Sequence, residues 1–141
     1  MTLRAKAILA SLITGGSLVS GCGAEPASRG TVAVSHAQLL THPQDYEGYT
    51  VMIGGYIRER GGSLNVYQVK EDALTNNKAA SIWIEDERAA ALAKGPCSDQ
   101  YVTVSGPFGV LKTMKFHGVT RIDRIWLHDI EDGGLKKTPC F

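Results

Sequence analysis

Alternation of apolar and polar positions predicts five β-strands in the second two thirds of the chain. The period of two is clearest in YTVMIGGYIRER, residues 49–60, where Val51, Ile53 and Ile57 share one face. The glycine pair Gly54-Gly55 in this segment predicts a bulge or a bend. The same alternation continues in four further segments: residues 63–71, 79–86, 100–111 and 118–130. The chain is therefore expected to be mainly β.

Two short helices are predicted around these strands. Ser35 and Gln38 have the spacing of a capping box and precede Leu39, so a helix is expected to begin after Ser35 and to end before Pro43. The segment DERAAALAKGP, residues 86–96, combines an Asp cap, an alanine run and a Gly-Pro stop. The resulting order of three strands, a helix and two strands is that of an OB-fold, a five-stranded Greek-key barrel.

We therefore predict a five-stranded, antiparallel OB-fold-like barrel with two short helices over residues 35–141. A small sandwich and a small α+β antiparallel sheet are the alternatives. LLTHPQDYEGYTVMIGGYI, residues 39–57, resembles the entry to small bacterial OB-fold domains similar to the tRNA-anticodon type. YVTVSGPF, residues 101–108, resembles their fourth strand. The resemblance implies a fold and does not carry a function.

The first 21 residues depart from this pattern and predict an export signal. Arg4 and Lys6 precede an apolar run, residues 7–19, that contains no acidic residue. As a helix this run reaches only ~20 Å, which is short of the ~30 Å hydrocarbon thickness of a bilayer. A cleaved signal peptide over residues 1–21 is therefore favoured over a permanent membrane span.

The apolar run ends in LVSGC, which resembles the lipobox of bacterial lipoproteins. The resemblance implies cleavage after Gly21, a diacylglyceryl group on Cys22 and often an acyl chain such as palmitate on the new amine. The alternative is an ordinary signal peptide with an incidental cysteine. Residues 22–34 then read as the lipidated cysteine and a flexible tether. An Asp directly after the lipidated cysteine would resemble an inner-membrane retention signal. Because Gly23 occupies this position, the outer membrane, facing the periplasm, is favoured.

Export changes the interpretation of the charge and of the remaining cysteines. The whole chain has a formal net charge of +1, and loss of residues 1–21 leaves 13 basic and 14 acidic residues. A net charge of −1 gives no general attraction to polyanions. In an oxidising compartment Cys97 and Cys140 are expected to form a structural disulfide, since no CxxC motif indicates a redox thiol.

No pattern of reactive residues predicts an enzyme, a metal site or a cofactor. The four histidines lack metal-ligand spacing, and the acidic cluster Glu85-Asp86-Glu87 lacks the spacing of a calcium loop. That cluster is attributed to the dipole of the predicted second helix. Nucleophile elbows and phosphate-binding glycine motifs do not occur. We therefore expect a non-catalytic protein without a cofactor.

Two surfaces are candidates for binding. One is an aromatic platform formed by Tyr56, Tyr67 and Trp83 on the outer face of the first three strands, although cross-strand packing explains these rings more simply. The other is the connection between the fourth and fifth strands, a position at which OB-folds bind ligands. Its candidate residues are Phe108, Lys112, Met114, Lys115 and Phe116. The apolar side chains of this connection are expected either in an exposed adhesive loop or, as favoured, in the core.

The expected function is therefore that of a membrane-anchored, non-catalytic binding or adaptor module for a protein or envelope component. A structural accessory subunit of an envelope assembly is the alternative. A nucleic-acid or oligosaccharide binder is less favoured, because a nucleic-acid binder requires a basic footprint that the exported domain lacks.

Overall fold

A computed structural model describes residues 27–131 and 134–140. Cys22 and the predicted signal peptide lie outside the described residues. The strands are β1 Thr31–Ala33, β2 Thr50–Arg60, β3 Ser63–Tyr67, β4 Ser81–Ile84, β5 Gln100–Val110, β6 His117–Val119, β7 Arg124–Glu131 and β8 Gly134–Pro139. The helices are α1 His36–Thr41, α2 Lys70–Leu74 and α3 Ala89–Leu92, with 3₁₀ segments at Pro43–Tyr46 and Lys78–Ala80. The prediction of a mainly β fold is confirmed.

The described strands form one mixed sheet in the order β1-β2-β3-β4-β6-β5-β7-β8. An additional pairing joins β2 to β5, so that β2, β3, β4, β6 and β5 form a ring of five paired strands. Two pairings, β1 with β2 and β4 with β6, are parallel. The prediction of an entirely antiparallel arrangement is therefore wrong.

The longest ladder joins β2 to β5, from Thr50 opposite Pro107 to Ile57 opposite Gln100. Its register runs through the Gly54-Gly55 pair without interruption, so this ladder does not contain the bulge that the sequence predicts. Gly55 has a different role. A Cβ at this position would overlap the Tyr67 carbonyl oxygen, so the backbones of β2 and β3 approach each other too closely for any side chain.

Several elements differ from the predictions because short segments find partners that their local sequence does not reveal. Residues 31–33, which the sequence places in the tether, pair in parallel with β2. The predicted second strand ends at Tyr67, because α2 begins at Lys70. The predicted fifth strand is divided into β6 and β7, and β8 adds a hairpin strand to β7.

Helix α1 begins as predicted. The Ser35 hydroxyl accepts a hydrogen bond from the Gln38 amide, and the Gln38 side chain accepts one from the Ser35 amide, which confirms the capping box. His36 and Leu39 of this helix are buried, and His36 Nε2 donates to the Val66 carbonyl oxygen at 3.1 Å. Burial lowers the pKa of His36, although the hydrogen bond to Val66 opposes this shift. The neutral imidazole is thus favoured in the folded protein.

The core is formed by alternate residues of the ring strands. It is supplemented by Leu92 of α3 and by Ile122 and Ile125 from the far end of the chain. Cys97 and Cys140 are joined by a disulfide with a Cα–Cα distance of 5.7 Å, which confirms the predicted pair. The disulfide fastens the end of the chain after β8 to the segment between α3 and β5.

Asp86 joins two connections of the ring, whereas the sequence predicts that it caps the second helix. One carboxylate oxygen accepts hydrogen bonds from the Arg88 amide and guanidinium. The other accepts from Arg88 Nη2 at 2.9 Å and from the Ile122 amide at 2.8 Å. Burial raises the pKa of Asp86, but the hydrogen bonds from Arg88 and Ile122 outweigh it and lower the pKa to about 2. The side chain is only 2% exposed, so this link is protected from solvent.

Replacing Asp86 with asparagine should destabilise the fold. The pKa of Asp86 is about 2 in the folded protein, below the usual 3.8. The ionised carboxylate therefore stabilises the fold fully above pH 3.8, and this stabilisation is lost as the pH falls from 3.8 towards about 2. We expect Asp86→Asn to lower the free energy of unfolding at neutral pH by about 2 kcal/mol and to weaken the acid dependence. Urea denaturation at a series of pH values measures both effects. Glu87→Gln, at the exposed neighbouring carboxylate, is the control, and an equal loss in both variants would contradict the role of Asp86.

The two neighbouring glycines of β2 provide a matched pair of substitutions. Gly55→Ala places a methyl group against backbone of β3 and 2.9 Å from His36 Cε1, so it should cost ~1–3 kcal/mol of stability. In Gly54→Ala the nearest atoms lie 3.9 Å away, and the effect should stay below ~1 kcal/mol. Chemical denaturation with the disulfide intact compares them. Equal stabilities would show that β2 and β3 are farther apart than described.

Candidate functional site

The outer face of β2, β3 and β4 carries the three residues of the predicted aromatic platform. Tyr56 faces Tyr67, and Trp83 faces Asn65, two residues from Tyr67 along β3. Tyr56 and Tyr67 are, however, 5% and 0% exposed and form a small cluster with Ala73 of α2. The three rings therefore share a face of the sheet without forming an open platform.

Helix α2 covers this part of the face and is held there by Arg60, whose Nη2 donates to the Ala73 carbonyl oxygen at 3.3 Å. Burial raises the pKa of Tyr67, and the positive charges of Arg60 and Arg58 partly offset this rise. Burial, followed by the charge of Asp99, likewise raises the pKa of Tyr56. The two tyrosines are thus packed beneath other groups and do not reach a ligand at the surface of this structure.

The predicted connection, residues 107–118, is divided between core and surface, because Phe108 belongs to β5 and only residues 111–116 join β5 to β6. Phe108 is 3% exposed and stacks on His117 with ring centroids 6.0 Å apart. Met114 and Phe116 are each 39% exposed, and Lys112 and Lys115 are exposed as well. The core alternative therefore holds for Phe108, and the exposed-loop alternative holds for Met114 and Phe116.

Glu85 holds this connection in place. Its carboxylate accepts a hydrogen bond from the Lys112 amide at 2.7 Å and further ones from the amide and hydroxyl of Thr113. The hydroxyl of Thr113 is the main cause that lowers the pKa of Glu85. The adjacent carboxylates of Glu85 and Asp86 therefore fix two different connections, which corrects their attribution to a helix dipole.

A groove that we call the Trp83 groove opens beside the start of β4, where β4 and β6 are not yet paired. The single residue pair between these strands is Ile84 with Val119. The groove encloses about 460 Å³ and lies between α1, the two 3₁₀ segments, β4 and β6. Its main lining side chains are Leu40, Pro43, Lys78, Trp83, Phe116 and His117.

Aromatic contacts build one wall of the Trp83 groove. Trp83 packs edge-to-face against Phe116 with ring centroids 5.3 Å apart, and Lys78 Nζ lies 5.4 Å from the centroid of Trp83. Leu40 of α1, which is 41% exposed, also lines the groove. Two residues from different predicted surfaces, Trp83 and Phe116, are thus brought together in one site.

The sequence did not identify Leu40, Pro43 and Lys78 as parts of a site. These residues lie in α1 and in the 3₁₀ segments on either side of the ring, far from Phe116 along the chain. The one available signal is the Leu39-Leu40 doublet, because two successive positions of a short amphipathic helix do not both face the core. Leu39 is 1% exposed and Leu40 remains at the surface.

A second groove, of about 770 Å³, is lined by charged residues that include Glu87, Lys112 and Arg121. Some of these charged groups pair within the protein, as Arg121 does with Asp123 at 3.0 Å. Within residues 27–131 and 134–140, no group of three or more His, Cys, Asp or Glu side chains is arranged to hold a metal ion. In the same part of the chain, no helix is long and apolar enough to cross a membrane. The apolar Trp83 groove is therefore the candidate site.

Comparisons of this chain with known protein families, with curated proteins and with solved structures find no match. A function is thus inferred from the residues of this chain alone.

Proposed function

We propose that this protein is a lipid-anchored, non-catalytic binding module of the bacterial cell envelope, and that the Trp83 groove binds an apolar segment of a partner protein. The observation that carries the proposal is that the exposed Leu40 and Phe116 line one groove together with the buried Leu39 and Phe108. Exposed apolar side chains gathered in one groove mark interaction sites. Covering them is favourable by roughly 25 cal/mol per Å².

The charge around the groove adds a requirement on the partner. Lys78 lines the groove and is exposed, and its ammonium group lies near enough to Trp83 to be attracted to the ring. A partner segment with large apolar side chains and a nearby carboxylate fits both features. The net charge of −1 that follows cleavage at Cys22 gives no support to a polynucleotide as the ligand.

We also propose that the ring of five strands is an OB-fold. The pairing order supports this, as does the stagger of the ring. When the residue pairs are followed from Val119 of β6 across β5, they lead to Tyr49, just before β2. When they are followed from Val119 across β4 and β3 instead, they lead to Glu59 of β2, which is ten residues further along the chain. Closing a sheet into a barrel requires such a stagger. The Trp83 groove then borders the connection between the fourth and fifth ring strands, where OB-folds bind ligands.

The proposed anchor is the lipidated Cys22, at the inner face of the outer membrane. The support comes from the LVSGC segment and from the Cys97–Cys140 disulfide, because structural disulfides persist in oxidising compartments outside the cytoplasm. A single acyl chain holds a protein only marginally, so two or three chains would make this anchor stable.

Photo-crosslinking in intact cells tests the groove. A photoreactive phenylalanine analogue at Leu40 or Phe116 should give the same discrete protein adduct. The matched control is Leu74, which is 54% exposed on α2 and lies outside the groove. With the identified partner, Phe116→Ser should weaken binding by about tenfold, equivalent to ~1.4 kcal/mol, while Leu74→Ser leaves it unchanged. Equal adducts at all three positions would instead favour an accessory subunit enclosed in an assembly.

Intact mass spectrometry of the membrane-extracted protein tests the anchor. We expect a chain that begins at Cys22 and carries the added mass of two or three acyl chains. The Cys22→Ser variant should lack this mass and should leave the membrane fraction. A mature protein that starts at Met1 without modification contradicts the proposal.

A further inference from the structure

The folded domain is hydrogen-bonded to the chain only a few residues after Cys22, the proposed anchor. The Arg29 amide donates to the Gly48 carbonyl oxygen at 3.0 Å, and the Thr50 amide donates to that of Gly30 at 2.8 Å. The hydroxyls of Ser28 and Thr50 lie 3.1 Å apart. From Ser28 onwards the chain therefore follows the beginning of β2.

Only six residue steps separate Cys22 from Ser28. A fully extended chain of this length spans at most ~20 Å. The surface around Ser28 must consequently lie within that distance of an acylated Cys22. A tether extending to Val34 would have allowed about twice this reach.

The residues gathered at this point come from three segments of the fold. The Gly48 amide donates to the Phe108 carbonyl oxygen at 3.0 Å, which joins the start of β2 to the end of β5. The Thr120 amide donates to the Pro107 carbonyl oxygen at 2.9 Å, which adds the connection between β6 and β7. We call this end of the fold, which carries Arg29, Tyr49, Pro107 and Val110, the proximal face.

The side chains of the proximal face suit the boundary between lipid and water. The Arg29 guanidinium lies 5.8 Å from the centroid of the Tyr49 ring, and no carboxylate among the described residues pairs with it. Val110 is 47% exposed. Tyrosine and arginine place an apolar body at the interface while their polar ends remain hydrated. The nearby Glu47 carboxylate lies 3.6 Å from His117 Nε2.

We infer that the proximal face rests on the bilayer that holds the acylated Cys22. The partner is a lipid surface, identified by the short reach from the anchor and by the exposed Arg29 and Val110 beside the half-buried Tyr49. This inference rests on the proposed lipid anchor. The opposite end of β2, at the Gly61-Gly62 turn, then points away from the membrane, since ten strand steps place it on the order of 30 Å from Thr50.

Nuclear magnetic resonance of the full mature lipoprotein in phospholipid nanodiscs tests this orientation. A gadolinium chelate attached to a fraction of the lipid headgroups should remove most of the amide signal intensity at residues 48–50 and 108–110. Signals of Gly61 and Gly62 should keep theirs. Equal loss at both ends, or a greater loss at Gly61 and Gly62, overturns the inference.

Two substitutions separate a lipid contact from mere proximity. Arg29→Glu and Val110→Glu together should restore intensity at residues 48–50, whereas Leu74→Glu on α2 should not. The amide spectrum of each variant in the absence of gadolinium verifies that it is folded. Unchanged signal loss in the double variant overturns the contact.

The mass of the same preparation distinguishes the two levels of the proposal. Acyl chains on Cys22 combined with uniform signal loss would reject the orientation and leave the anchor in place. A preparation without acyl chains would reject the anchor, and the inferred orientation with it.

Discussion

The ladder between β2 and β5 is the interaction on which the remaining structure depends. Without it the other strands would form an open sheet, because every other pairing joins neighbours in a single linear order. With it, alternate side chains of five strands are enclosed around one core. The closed ring also requires glycine where another segment of the chain crosses closely over a strand. At Gly106 of β5 a Cβ would overlap the Arg121 carbonyl oxygen, so β5 can carry no side chain where the chain passes between β6 and β7.

The connections of the ring are fixed mainly by side chains that bind backbone groups. Asp86 accepts from the Ile122 amide, Glu85 from the Lys112 amide, and Arg60 donates to carbonyl oxygens at the end of α2. Backbone groups that leave a ladder require such partners when water is excluded. The Trp83 groove is positioned by the same means, because Glu85 sets the path of the connection that carries Phe116.

The sequence predicted the long strands well and the short elements poorly, for a physical reason. Strands β2 and β5 each have eleven residues, so a period of two is repeated often enough to be recognised. Strand β1 has three residues and owes its conformation to β2, while α2 has five and owes its position to Arg60 and the tyrosines it covers. No local pattern can report such tertiary causes.

The candidate site was predictable only in pieces. Trp83 and Phe116 were candidates on two separate predicted surfaces, and the ring brings them into contact. Leu40 and Lys78 reach the same groove through connections whose path depends on the closed ring. The partner of Asp86 is a backbone amide, which every residue except proline possesses, so the identity of Ile122 carried no signal.

The Cys97–Cys140 disulfide also determines whether the two parts of the chain stay joined after a cut in the backbone. The covalent loop that it closes contains β5, β6, β7 and β8, and with them the exposed turn between Leu111 and Phe116. A protease that cuts this turn divides the polypeptide without releasing a fragment. Both parts stay joined through the sulfur atoms, and the hydrogen bonds of the ring keep the ends of the nick near each other. The molecule can therefore lose the continuity of its backbone at this exposed hairpin and still hold its strands together.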